Sequence, residues 1–163
     1  NKEKLNLIIK KKNLKFFFLI VILFFFDRIT KTKLIKKLIN DPIYINDYMN
    51  LDLIWNTGIG FGLLSSNTNL IYNSITGIIG IVILFIIYLI FTVKYFDKIL
   101  LSIVLAGALG NFYDRLVYLA VPDFIDIHYN TFHWFTFNIA DILITIGIAI
   151  LISKDLFFKN EKN

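Results

Sequence analysis

The sequence predicts an all-α integral membrane protein: four transmembrane helices, with a small extended element and a short helix on their outer side. Three observations predict it. Of 163 residues, 57% are apolar and the mean hydropathy is +0.70, above the roughly 45–50% apolar content of soluble domains. Uncharged runs reach about 20 residues, the length that carries a helix across a bilayer. The basic residues, which give a net charge of +5, gather at the ends of those runs. They form no stripe interleaved with aromatics, so they read as membrane orientation and not as a nucleic-acid surface. The length suits one domain, 1–163. Cysteine is absent, which excludes disulfides, a thiol nucleophile and a thiolate metal site. Chemistry falls to carboxylates, amides, hydroxyls, Lys, Arg and two histidines.

The first span is expected at about residues 10–29. Its apolar centre, 16–26, lies between Lys15 and Asp27 and is long enough only if Lys15 snorkels to the surface. A Lys-rich start before a short apolar run imitates a secretory signal. A cleavable signal ends in small residues, however, whereas this one ends in FFFDRITKTK, so it is expected to stay as a span. KTKLIKKLIN, 31–40, has helical apolar spacing and reads as the end of that span or a short helix lying on the outer surface. The first outer segment, about 34–69, alternates at Leu51, Leu53 and Trp55 before a glycine cluster, which predicts an extended or hairpin piece.

The second span, 70–93, is 24 residues without a charge. The third, 99–117, is long enough only with Asp114 and Arg115 inside the helix. A second outer segment, about 118–133, leads to the fourth span, 134–153, whose only charge is Asp141. Four spans put both termini on one side. Eleven of the seventeen basic residues fall there, making that side cytoplasmic. Trp55 and Trp134 fit an aromatic belt at the other surface.

A carboxylate at the centre of a membrane helix costs about 2.5–3.5 kcal/mol on insertion scales and normally marks a site. Counted from Trp134, Asp141 is expected about 10 Å along its helix, with Asn138 and Thr145 on the same face. Span three has a matching stripe of Gly107, Asn111, Asp114 and Arg115, and Gly107 and Gly110 leave room for a close neighbour. VPDFIDIHYN adds Asp123 and Asp126, DRITK sets Asp27 and Lys31 one turn apart, and NTGIGFG adds Asn56. Two carboxylates held together cannot both ionise easily. One keeps a proton while the other acts as base towards water, which is aspartic-protease chemistry and needs no metal or cofactor. Asp114 and Asp123 both stand as partners for Asp141. An ion-pairing or orienting role is preferred for Asp114, because a carboxylate beside Arg115 stays charged. Asp123, Asp126, His128 and His133 have no familiar zinc spacing, so no metal is expected.

Five of these motifs, in order, resemble those of the lipoprotein signal peptidases, or signal peptidase II, polytopic aspartic proteases of the bacterial inner membrane. DRITK (27–31) resembles D-x-x-T/S-K, NTGIGFG (56–62) N-x-G-x-A/G-F-G/S, and GALGNFYDR (107–115) G-G/A-x-G/A-N-x-x-D-R. VPDFID (121–126) resembles V-x-D-F/M, and FNIAD (137–141) F-N-x-A-D. The resemblance implies a catalytic pair of Asp123 and Asp141, site-lining roles for Asn56, Gly58, Asn111, Arg115 and Asn138, and a structural role for Asp27 and Lys31. Pro122 departs from the pattern, which more often has an aliphatic residue there. The implied reaction is cleavage of diacylglyceryl-modified prolipoprotein before its lipidated cysteine, near the periplasmic face, with both termini cytoplasmic. The implied partners are that substrate and membrane lipid, with no cofactor and no nucleic acid. Residues 50–65 are expected to help clamp the substrate. The competing class is a small four-helix proton-coupled transporter using Asp141, which needs no second aspartate at the interface. An interaction subunit of a larger membrane complex is the other alternative.

Overall fold

A computed structural model describes residues 11–58 and 69–158. Among the described residues the protein is mostly helical, with four helices and one small antiparallel sheet. Helix α1 spans Lys11–Leu38, and strands β1 (Ile43–Asn46) and β2 (Met49–Asn56) follow. Helices α2 (Asn69–Thr92) and α3 (Tyr95–Tyr118) come next. Strands β3 (Val121–Tyr129) and β4 (Phe132–Phe137) then lead into α4 (Ile139–Phe158). The rest of the glycine cluster, within 59–68, and the lysines at 2, 4, 10, 159 and 162 lie outside the described residues.

Contacts between helix ends set the directions. Lys15 donates to the Tyr95 hydroxyl (2.8 Å), joining the starts of α1 and α3. Tyr72 donates to the Arg115 carbonyl (2.8 Å), joining the start of α2 to the end of α3. Lys154 is ion-paired with Asp97. The helices therefore run alternately up and down, with the start of α1 and the end of α4 at one end and the sheet at the other.

Close approach of α3 and α4 rests on glycines. A Cβ at Gly107 would lie 2.5 Å from the Ala140 carbonyl oxygen, and one at Gly147 would lie 2.5 Å from Val104 Cγ2. Between α2 and α3 the core is Ile83, Ile86, Ile90, Leu101, Val104 and Leu105. Large apolar side chains also point outward, among them Phe17 and Phe25 on α1, Ile81 and Leu84 on α2, and Ile146 and Ile152 on α4. A soluble globule would not leave so much apolar surface bare. Two segments, Leu70–Thr92 and Tyr95–Tyr118, are long and apolar enough to cross a membrane by themselves.

Residues 31–38 continue α1 without a break, as the end of the first span, because Lys31 turns inward to buried carboxylates. The alternative of a separate short helix is corrected, since none lies there among the described residues. The extended piece expected in 34–69 is the β1–β2 hairpin, and it is part of a sheet of order β1-β2-β3-β4. Its strand β4 takes residues 134–137 from the start of the fourth span, pairing Phe135 with Ile127 and Phe137 with Ile125. An apolar run alone does not separate strand from helix, and here pairing across the sheet decides. Leu119, left-handed at φ 56°, ends α3 and turns the chain into β3.

Candidate active site

The start of α4 is built by one asparagine. Asn138 Oδ1 accepts from the Asp141 N–H and Asp141 Oδ2 accepts from the Asn138 N–H, both at 3.1 Å. This is a reciprocal capping box. Asp141 therefore sits in the first helical turn, not about 10 Å along the helix as counted from Trp134. There the partial positive charge of the helix N-terminus favours a carboxylate. Its other oxygen, Oδ1, accepts from Asn111 Nδ2 at 2.7 Å.

Asp123 comes from β3, opposite Ile54 of β2, and is only 2% exposed. Asn138 Nδ2 donates to its Oδ1 (2.6 Å) and Asn56 Nδ2 to its Oδ2 (2.9 Å). Asn138 thus holds both aspartates at once, through its amide on one side and its capping oxygen and backbone on the other. Asn56 ends β2, and its own Oδ1 accepts from the Gly58 N–H (2.8 Å). Gly58 supports Asn56 in this way. Pro122 is fully buried beside Asp123. Because β4 pairs only from Ile125 onward, its missing N–H falls where β3 has one neighbouring strand.

Asp123 and Asp141 line one cavity of about 310 Å³, with Asn56, Asn111, Arg115 and Thr145 completing its polar rim. Its remaining wall is apolar, from α2 (Ile79, Ile83, Ile86), α3 (Val104, Ala108) and α4 (Ile144, Ile148), with Val121 of β3. Burial pushes the Asp123 carboxyl up to about 7, and the negative charge of Asp141 adds to the rise. The Asn56 and Asn138 hydrogen bonds oppose it. Arg115 reaches the same cavity, its guanidinium 5.6 Å from the Tyr72 ring centroid. Its buried Nη1 has no hydrogen-bond partner among the described residues.

Behind the cavity stands a buried charge network. Lys31, fully buried, lies 2.7 Å from Asp114 Oδ2 and 3.0 Å from Asp27 Oδ2. It also donates to Asn111 Oδ1 at 2.8 Å. A lysine can only donate, so the oxygen of Asn111 must face it and the amide nitrogen is left for Asp141. Asp27 accepts from the Ala140 N–H (3.1 Å), satisfying another donor at the start of α4. A Cβ at Gly110 would lie 2.5 Å from Asp27 Oδ2, so this glycine makes room for the network. Asp114 belongs to the network and not to the cavity. Its partners are Arg28 and Lys31, not Arg115 as sequence adjacency suggested. Arg28 was missed, although it stands three residues from Lys31 on one helix face. Tyr72 was missed too and left no signal in the sequence. Of the four residues weighed for zinc, Asp126, His128 and His133 converge on the sheet while Asp123 faces the cavity.

A family model described as signal peptidase (SPase) II matches residues 19–157. The chain belongs to the signal peptidase II family. Its relatives in that family include the lipoprotein signal peptidase of Pelagibacter ubique (strain HTCC1062), 50% identical over 140 residues and covering 84% of each chain. That of Francisella tularensis subsp. novicida (strain U112) is 41% identical over 126 residues, covering 73% of this chain and 76% of its own. Two solved structures of bacterial membrane enzymes, determined by the in meso method, are similar throughout. One, at 1.9 Å resolution, is 29% identical with a TM-score of 0.70 and covers 88% of this chain and 93% of its own. The other, at 2.3 Å, is 28% identical with a TM-score of 0.67 and covers 91% and 93%.

Proposed function

We propose that the chain is a membrane aspartic endopeptidase that removes the signal peptide from diacylglyceryl-modified prolipoproteins by cutting before the lipidated cysteine. The observation that carries the proposal is that Asp123 and Asp141 line one cavity and are joined through Asn138. Asp123, whose proton is retained up to about pH 7, is the acid. Asp141, at a helix N-terminus, is the base. Asp141 takes a proton from water as the water oxygen adds to the scissile carbonyl carbon, and Asp123 donates a hydrogen bond to the carbonyl oxygen. Collapse of the tetrahedral intermediate breaks the C–N bond, and the leaving amine takes a proton from the pair. The free Nη1 of Arg115 stands ready for the negative charge that develops on the carbonyl oxygen.

All four helices cross the bilayer in this proposal. Between the ionic groups at the two ends, Lys15 to Asp27 covers about 18 Å of α1 and Asp141 to Lys154 about 20 Å of α4, at about 1.5 Å per residue. That uncharged band is shorter than a hydrocarbon core of about 30 Å, so the dyad sits just inside its outer edge, where the scissile bond of a lipidated substrate lies. The charges of α1 and α3 are tolerated because they pair with one another. Both termini are cytoplasmic by the distribution of basic residues. The sheet is periplasmic, with Trp55 and Trp134 exposed at the lipid interface, and the membrane is the bacterial inner membrane.

The test is processing of a diacylglyceryl prolipoprotein by the purified chain and by its variants. Asp123→Asn and Asp141→Asn are expected to lose turnover, while folded Asp114→Asn keeps it. Wild-type processing by either of the first two refutes the dyad. A chain that cleaves nothing refutes the peptidase.

A further inference from the structure

We propose a zinc site on the sheet, formed by Asp126 and His128 of β3 and His133 of β4. Side chains two apart on a strand share a face, so Asp126 and His128 point the same way. Antiparallel pairing sets His133 directly opposite His128, after an irregularity between Ile127 and His128. The third ligand therefore arrives across the sheet, which is why the spacing along the chain carries no metal signature. One donor atom from each residue lies within 4.8 Å of the others.

The distances suit a small ion. Asp126 Oδ2 is 2.7 Å from His133 Nδ1 and 3.4 Å from His128 Nδ1. Donors on a tetrahedral zinc ion with bonds of about 2.0–2.1 Å stand about 3.3 Å apart, so adjustments of well under 1 Å at these two separations suffice. The two imidazoles stack across the strands, with ring centroids 5.3 Å apart and planes 28° apart.

A second observation points to a ligand. His128 Nδ1 and Asp126 Oδ1 are buried with no hydrogen-bond partner among the described residues, and their residues are 8% and 3% exposed. Leaving polar atoms unsatisfied in the interior is costly, and a cation in this group would engage both residues. The side chain of His133 is 59% exposed, which gives the ion an entry path and leaves a coordination position for water. Two imidazole nitrogens and a carboxylate oxygen suit zinc among the abundant divalent ions, and do not suit magnesium or calcium, which take oxygen.

The position suggests a staple. The ion would tie β3 to β4 beside their turn, where Asn130 is left-handed at φ 52°. Asp126 is three residues from Asp123 on the same strand and, by the strand period, on its opposite face. The site stands apart from the aspartate cavity, so it does not depend on the peptidase reading.

The test is zinc titration of the full, tag-free chain in detergent, against a chromogenic chelator. One saturable zinc per chain is expected, with binding at least about tenfold weaker in His133→Ala and in Asp126→Asn. Zinc should raise the thermal midpoint of the wild type and leave that of His133→Ala unmoved. His133 is exposed, so its variant should fold even if His128→Ala does not. No saturable site, or equal affinity in His133→Ala, overturns the proposal.

Discussion

Replacing Asn56 by alanine should move the alkaline limb of activity upward. Asn56 Nδ2 donates to Asp123 Oδ2 at 2.9 Å in a buried setting, and that bond favours the charged form of the carboxyl. It is one of two hydrogen bonds holding the Asp123 pKa down against burial and the charge of Asp141. A hydrogen bond to a charged group is worth about 1.5–3 kcal/mol net, and about 1.36 kcal/mol corresponds to one pKa unit. Losing it raises the pKa by about one to two units. The Asn138 bond survives, and water can enter from the cavity, so the lower end, about one unit, is expected. The assay is kcat/KM against pH for a lipidated peptide substrate in micelles. Wild-type activity should fall above about pH 7, as the proton on Asp123 is lost. In Asn56→Ala the fall should begin near pH 8, whatever happens to the plateau. The midpoint belongs to the coupled pair, but the direction of its shift belongs to this bond. An unchanged or lowered midpoint would refute the assignment of Asp123 as the acid.

Stability should depend on pH through the same group. Its folded pKa, about 7, lies above the ordinary value of 3.8, so its contribution is full below 3.8 and is lost as pH rises through 7. Thermal midpoints should therefore decline over that window in the wild type and decline less in Asp123→Asn. Lys31→Met leaves Asp27 and Asp114 buried with their shared cation gone. It should cost about 3–5 kcal/mol, with part recovered in Lys31→Met/Asp27→Asn, both read by thermal unfolding in detergent. Gly107→Ala puts a Cβ 2.5 Å from the Ala140 carbonyl and should cost about 1–3 kcal/mol. Gly77→Ala, with nothing within 4 Å, should be neutral or stabilising by up to about 1 kcal/mol in the same melts.

Which residues were legible depended on the range of the interaction that positions them. Gly107 and Gly110 could be read as a close approach because a missing side chain says so locally, and each now faces an atom where a Cβ would sit. Asp27 and Lys31 could be paired because they lie one helical turn apart. Asp114 was matched to the wrong arginine. Residues 114 and 115 are adjacent in sequence but point to different sides of α3, one to α1 and the other to the cavity. The three residues proposed to bind zinc were discounted for a related reason. His133 reaches His128 through strand register, which no interval along the chain reveals.

The shift of Asp141 from about 10 Å along its helix to the helix N-terminus changes the chemistry most. About two turns inside a span its charge would be a cost that normally marks function. At the start of α4 it accepts from the backbone of Asn138 and the amide of Asn111, and the helix dipole favours the anion by about 0.3–1 kcal/mol, up to about 2 when partly buried. Asp123 has two amide donors as well, but it comes from a strand, where no such dipole exists. Two carboxylates with similar hydrogen bonds thus differ in the element that carries each. In the proposed mechanism that difference is the ground for taking Asp141 as the base and Asp123 as the acid. The asymmetry needs β4 to end at Phe137, so that Asn138 caps the helix and Asp141 enters its first turn. The four residues 134–137 that the sheet takes from the helix are therefore what makes the pair unequal.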